Sequence, residues 1–169
     1  MRPIVVLVGP PGAGKTTVGE LLAMRRDVAF RDTDRDIEAT TGVTIGELFV
    51  EQGEPVFREL ERAAVRQALA DHDGVLALGG GAVLAPETRQ LLRDGHYVVF
   101  LDVGVAVAAE RVGFNRSRPL LALNPRAELK RLLSERRPLY EQVASVAVVT
   151  DDRTPEEVAD AIEQSMAGV

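Results

Sequence analysis

The sequence predicts an α/β fold, a parallel sheet covered by helices. Three observations carry this. Short continuous apolar runs alternate with helical stretches along the whole chain, the pattern of βαβ units. The first run, Ile4 to Val8, leads directly into Gly9-Pro-Pro-Gly-Ala-Gly-Lys-Thr16, which matches G-x-x-x-x-G-K-[ST] between a strand and a helix. A later run, Val75 to Leu78, leads into three consecutive glycines, Gly79, Gly80 and Gly81.

The elements follow in order. Strands are expected at Ile4–Val8, Val28–Arg31, Val75–Leu78, Tyr97–Leu101 and Val146–Val149, whose unbroken apolar character fits strands buried on both faces. Helices are expected at Lys15–Arg26, Asp34–Thr41, Ile45–Gln52, Val56–Asp71, Pro86–Asp94, Val105–Val112, Pro125–Val143 and Pro155–Ala167. Start signals mark several: Thr44 precedes Ile45, and Thr154-Pro155 is followed by Glu157. Pro138 interrupts the late helical pattern and predicts a kink there. No repeat or low-complexity linker appears, so residues 1–169 are read as a single domain.

Composition excludes several function classes. Apolar residues make up 46% and charged residues 27%, as in soluble globular chains, and the net charge of −6 disfavours nucleic acid and anionic membranes as partners. There is no cysteine, which removes disulfides, thiolate catalysis and cysteine-based zinc sites. No run is long enough to span a bilayer. The first strand starts almost at Met1, so no signal peptide is expected and a cytoplasmic enzyme is the expectation. Lys15 and Lys130 are the only lysines, and base composition accounts for most of the arginine excess. Arginines close to a phosphate site are weighed separately, because guanidinium grips carboxylates and phosphates in a two-pronged way.

The phosphate loop points to a nucleoside triphosphate. Gly9, Gly12 and Gly14 permit the tight turn that presents backbone N–H groups, and the next helix adds its positive end. Lys15 supplies a charge for the β- and γ-phosphates, and Thr16 a hydroxyl for Mg²⁺. The remaining clusters each admit two readings. Asp32-Thr33-Asp34 follows the second strand, at the sheet end where ligands bind, and its two carboxylates could hold Mg²⁺ and orient an acceptor hydroxyl; equally, Thr33 or Asp34 could cap the next helix. Arg58 and Glu61, three apart on one helix face, form either a carboxylate-braced guanidinium or a solvated surface pair with Glu54, Arg62 and Arg66 nearby, and the residues alone favour the latter. The glycine triplet either admits a ligand close to the backbone or is a flexible turn. Arg136, before Pro138, is either aimed inward or set against the helix dipole. Residues 113–124, with Arg116 and Arg118, form either a lid over the phosphates or a surface loop.

Taken in order, the phosphate loop, Asp32-Thr33-Asp34, Gly53-Glu54-x-x-Phe57-Arg58-x-x-Glu61, Gly79-Gly80-Gly81, Arg118-Pro119-Leu120-Leu121 and Arg136-x-Pro138-Leu139-Tyr140 resemble the shikimate kinase family over almost the whole chain. The resemblance implies a three-layer P-loop kinase fold with a five-stranded parallel sheet of order 2-3-1-4-5, a shikimate-binding region at about 33–61 and a lid at about 113–124. It implies Mg²⁺-dependent transfer of the ATP γ-phosphate to the 3-hydroxyl of shikimate in aromatic amino-acid biosynthesis.

The family pattern assigns catalytic roles to Lys15, Asp34 and Arg118. ATP would be bound by Gly12, Ala13, Gly14, Lys15, Thr16, Thr17, Arg111, Arg118, Arg153 and Pro155, and Mg²⁺ by Thr16 and Asp32. Shikimate would be bound by Asp34, Phe49, Phe57, Arg58, Gly79, Gly80, Gly81, Leu120 and Arg136. Shikimate and ATP are the expected partners, with no nucleic acid, no membrane and a monomeric state. The loop spelling Gly-Pro-Pro-Gly-Ala-Gly-Lys is also common in adenylate kinases, but their Asp-Gly-Phe-Pro-Arg segment is absent. The alternatives are another small-metabolite kinase on this fold, such as a gluconate kinase, and a non-catalytic nucleotide-binding switch.

Overall fold

The computed structural model describes residues 2–112 and 125–169. Five parallel strands form one sheet: β1 (Val5–Val8), β2 (Phe30–Asp32), β3 (Val75–Ala77), β4 (Val98–Asp102) and β5 (Val146–Val149). Their spatial order, β2-β3-β1-β4-β5, is the one expected. Seven α-helices accompany them among the described residues: α1 (Lys15–Arg26), α2 (Thr33–Thr41), α3 (Ile45–Asp71), α4 (Pro86–Arg93), α5 (Val105–Val112), α6 (Pro125–Val143) and α7 (Pro155–Ala167). A 3₁₀ turn spans Ala82–Leu84.

β1, β3 and the first four residues of β4 are apolar because both faces are covered. Val5, Leu7, Val75, Ala77, Val99 and Leu101 belong to one core, with side chains of α1, α5, α6 and α7. Their neighbours Val6, Val8, Leu76, Leu78, Val98 and Phe100 belong to the other, with α3, α4 and α6. Successive side chains point to opposite faces, so two cores require apolar residues at every position. A third, smaller cluster of Ile37, Leu48 and Phe57 holds α2 against α3 beyond the sheet.

Three details revise the element boundaries. β2 lies later than expected: Phe30, Arg31 and Asp32 pair with Val75, Leu76 and Ala77, which makes Asp32 a ladder residue. The two helices expected on either side of residues 53–55 are nearly continuous as α3, broken only at Gly53 (φ 81°, ψ 167°). That conformation is open to glycine and costly for other residues. Helix α6 runs through Pro138 without a break. Pro138 lies on the exposed side, where water can take the carbonyl that its missing N–H leaves unpaired. Leu129, Leu132, Arg136, Tyr140 and Val143 form the buried stripe at helical spacing, which turns Arg136 inward.

Helix starts follow the sequence signals. Thr44 and Glu47 form a reciprocal capping box, and the Thr154 hydroxyl accepts from the Glu157 N–H. At α2 the cap is Asp32, whose Oδ1 accepts from the Asp34 N–H at 2.9 Å.

Candidate active site

Most of the expected site residues that the structure describes collect at the carboxyl ends of the strands, where an open parallel sheet binds its ligands. After β1 the chain forms the phosphate loop. Gly12 and Gly14 have φ of 82° and 90°, which a side chain would strain. A Cβ on Gly12 would also meet the Val112 side chain and the Ala108 carbonyl, at 2.9 and 3.1 Å. The Lys15 ammonium donates to the loop's own Gly9 and Pro10 carbonyls at 2.6 and 3.0 Å, so the cation is held over the loop. A cavity of about 220 Å³ lies here, lined by Gly12, Gly14, Lys15, Thr16, Thr17, Asp32, Asp34, Gly79, Gly80 and Arg111 among others. Ala13 is buried beneath it.

The cap of α2 is Asp32 rather than Thr33 or Asp34, and the Asp32 Oδ2 accepts from the Thr16 hydroxyl at 3.2 Å. A carboxylate and a hydroxyl side by side on the wall of a phosphate cavity are the hard oxygen donors that suit Mg²⁺. No cluster of three or more histidine, cysteine or carboxylate side chains is present among the described residues. The remaining ligands of such an ion would therefore come from phosphate and water, as is usual for Mg²⁺. Thr33 is fully buried, and its hydroxyl accepts from the Gly79 N–H at 3.2 Å, which ties α2 to the end of β3.

A second, larger cavity of about 400 Å³ opens beside the first. Its walls come from α2 (Asp34, Arg35, Glu38), α3 (Phe49, Phe57, Arg58, Glu61), the glycine segment (Gly80, Gly81) and α6 (Leu132, Arg136). The two cavities share Asp32, Asp34 and Gly80. The Phe49 and Phe57 rings are 4.9 Å apart, giving an apolar side to a pocket otherwise lined by charge.

The charged side is more built than the sequence alone suggests. Glu61 is 3% exposed, and its carboxylate accepts from Arg58 at 2.8 Å. Arg58 also reaches Glu54 at 3.3 Å and lies over the Phe57 ring. Burial raises the Glu61 pKa above its ordinary 4.5, while the Arg58 and Arg136 charges oppose that rise. Arg136 is 5% exposed. Arg58 is hydrogen-bonded to the buried Glu61 and Arg136 acts on that carboxylate through its charge, so two guanidinium groups stand on one partly closed wall. That is a site for an anion, and a planar carboxylate matches the guanidinium fork. The solvated-surface reading of Arg58 and Glu61 is overturned by this burial.

The glycine triplet has a steric reason. A Cβ on Gly79 would lie 2.5 Å from Asp34 Oδ1 and 3.0 Å from Glu61 Oε2, and one on Gly81 would overlap the Arg58 guanidinium. Only glycine lets β3 end against these side chains.

Of the expected site residues, Lys15, Thr16, Thr17, Asp32, Asp34, Gly79 and Arg111 line the smaller cavity, while Phe49, Phe57, Arg58, Gly81 and Arg136 line the larger one. Arg111 donates to the Gly12 carbonyl at 2.9 Å. Arg153 and Pro155 are exposed in the turn that opens α7 and line neither cavity. Arg118, Leu120 and the whole expected lid lie outside the described residues. Sequence reading missed Arg35 and Glu38. Glu38 lies one helical turn after Asp34, a spacing that puts both on one face of α2 and could have flagged it.

The comparisons with known proteins agree with this geometry. The family model for shikimate kinase matches residues 11–167. A curated shikimate kinase of Salinispora arenicola is 60% identical over 159 residues, covering 94% of this chain and 95% of its own. One from Salinispora tropica is 62% identical with the same coverage. Among solved structures, shikimate kinase from Acinetobacter baumannii in complex with shikimate superposes with a TM-score of 0.95 at 37% identity, covering 99% of this chain and 94% of that one.

Proposed function

The chain belongs to the shikimate kinase family, whose activity is ATP-dependent phosphorylation of shikimate, and we propose that its two joined cavities divide that reaction between them. The smaller takes the triphosphate and the larger takes shikimate. The observation that carries this reading is the shared wall: Asp32, Asp34 and Gly80 line both cavities, so a phosphate in one can meet a hydroxyl in the other.

The larger cavity fits shikimate's chemistry. Its carboxylate goes to the guanidinium groups of Arg58 and Arg136, the first of them oriented by Glu61. The carbon ring lies along Phe49 and Phe57. The hydroxyl to be phosphorylated, that at carbon 3, lies at the Asp34 end. Asp34 orients this hydroxyl and accepts its proton as the O–P bond forms. The neighbouring Asp32 carboxylate, held by the Thr16 hydroxyl and the Asp34 N–H, is committed elsewhere, which leaves the two carboxylates with distinct roles.

The smaller cavity positions the donor. Loop N–H groups and the α1 N-terminus receive the phosphates. Lys15 moves from the loop carbonyls to the β- and γ-phosphate oxygens and draws charge from the transferring group. Thr16 and Asp32 would hold Mg²⁺, which when bound with the nucleotide neutralises charge across the phosphates. Arg111 steadies the loop from α5 through the Gly12 carbonyl. Arg118 serves the transferred phosphate, and Arg153 and Pro155 the adenine, as the family pattern implies. The protein works as a monomer.

The test is ADP release from MgATP, with shikimate, gluconate, AMP and no acceptor run side by side. ADP formed with shikimate alone supports the division of labour. Comparable turnover with gluconate or AMP would show that the arginine wall does not select the acceptor. Turnover independent of acceptor would remove the shared wall as the point of transfer.

A further inference from the structure

The last residue of the Arg-x-Pro-Leu-Tyr run has no role in the reading above, yet its surroundings are specific. Tyr140 is 1% exposed, and its hydroxyl donates to the Gly80 carbonyl at 2.6 Å. Its ring stacks on Phe100 of β4, with centroids 5.1 Å apart and planes at 26°. It lies four residues after Arg136 on the same buried stripe of α6. Burial pushes the phenol up to about 12, while the Arg136 guanidinium pulls the other way. The hydroxyl is thus a proton donor at every working pH.

We propose that Tyr140 is a positioning residue for the acceptor pocket: it fixes the Gly80–Gly81 peptide and registers that peptide against Arg136. The proposal rests on the reading that the larger cavity binds shikimate. A glycine–glycine peptide has no side chain to hold its plane and can rotate at little cost. Gly80 and Gly81 both line the larger cavity, so rotation would change what the cavity offers. Peptide planarity turns one hydrogen bond into control of two groups. No cis bond occurs among the described residues, so the Gly81 N–H points opposite to the Gly80 carbonyl. Holding that oxygen on the core side aims the N–H away from Tyr140, on the side of the Gly80 Cα. The carbonyl and Arg136 then move as one unit with α6.

Tyr140→Phe keeps the ring and its stack on Phe100 and deletes only the hydroxyl. The KM for shikimate is expected to rise by about fivefold or more, the equivalent of one buried hydrogen bond, with the KM for ATP changed less than about twofold. The Gly81 amide resonance in the ligand-free protein is expected to shift or broaden. Phe100→Leu is the control for packing alone: it loosens the same contact, and a lowered Tm with an unchanged shikimate KM and Gly81 resonance is expected. An unchanged shikimate KM in Tyr140→Phe, or equal changes in both KM values, overturns the proposal. Arg58→Ala, run in parallel, separates the two levels. If it leaves the shikimate KM unchanged, the pocket assignment fails. If it raises that KM while Tyr140→Phe does not, only the role of Tyr140 fails.

Discussion

The two cavities meet at three residues yet are assembled in opposite ways. The smaller is organised around one short stretch, residues 12–17, bent by glycines that tolerate positive φ, with Asp32, Asp34, Gly79, Gly80 and Arg111 closing it. The larger draws on α2, α3, the glycine segment and α6, elements that are far apart in sequence. The first has a local backbone loop at its centre; the second has no such centre and is made of side chains that position one another. A local site survives the loss of many neighbours. A side-chain network fails when one member is removed, because the others are left buried and unpaired. Truncating a charged side chain of the larger cavity should therefore carry a stability cost beside the functional one, and truncating the exposed Arg111 of the smaller should not.

Arg58→Ala offers the largest contrast. Removing one member of a close charge pair costs enough that the KM for shikimate should rise on the order of 30-fold or more. Calorimetric ATP affinity should stay near that of the parent. An unchanged shikimate KM would separate Arg58 from the acceptor. Thermal unfolding should also shift downward, by the equivalent of about 3 kcal/mol, because Glu61 loses its hydrogen-bonded partner.

Glu61 gives a subtler, pH-dependent version of the same comparison. Its folded pKa lies above its ordinary value, so the folded state binds the proton more tightly than the unfolded one. Glu61's contribution to stability is therefore greatest below pH 4.5 and falls as pH rises from there through its folded pKa. Glu61→Gln should flatten that part of the stability curve, and Arg58→Ala should steepen it, since Arg58 is the charge that opposes the rise. Denaturant unfolding across this range checks both slopes. Identical slopes in parent and Glu61→Gln would mean that Glu61 is not the titrating group.

The smallest effect is expected at Arg111, which is exposed and touches the phosphate loop through one carbonyl. Arg111→Ala should weaken ATP binding about threefold to tenfold, the worth of one hydrogen bond to a charged group, without changing shikimate affinity. A Tm shift of several degrees would contradict the view that this cavity depends little on side-chain networks.

The same contrast explains what could be read from the sequence. The phosphate loop declares itself because its physics is local: spacing alone fixes where the N–H groups, Lys15 and Thr16 stand. The sheet was legible because a strand covered on both faces must be apolar at every position, as in Val5–Val8 and Val98–Leu101. The boundary of β2 was not, because Asp32 is polar yet pairs with Ala77. Arg58 and Glu61 read as surface charges from helix spacing, and only the family resemblance raised Arg58 and Arg136 to site candidates, while Glu61 was not among them. Their burial depends on how α3 and α6 meet the glycine segment, which no local window contains. Glycine at 79 and 81 was visible, but its reason was not: the side chains that exclude a Cβ there belong to α2 and α3. Pro138 shows the reverse error, a local rule that predicted an interruption where the helix runs on with the proline on its exposed side.

The central claim is that the reaction takes place where the two cavities meet, with Asp34 serving the acceptor hydroxyl there. Steady-state kinetics of Asp34→Asn tests it most directly, since amide for carboxylate keeps the shape and removes the proton acceptor. The account predicts a fall in kcat on the order of 10²-fold or more, with the KM for ATP within about twofold of the parent. A kcat close to the parent's would contradict it and leave the shared wall as a structural seam alone.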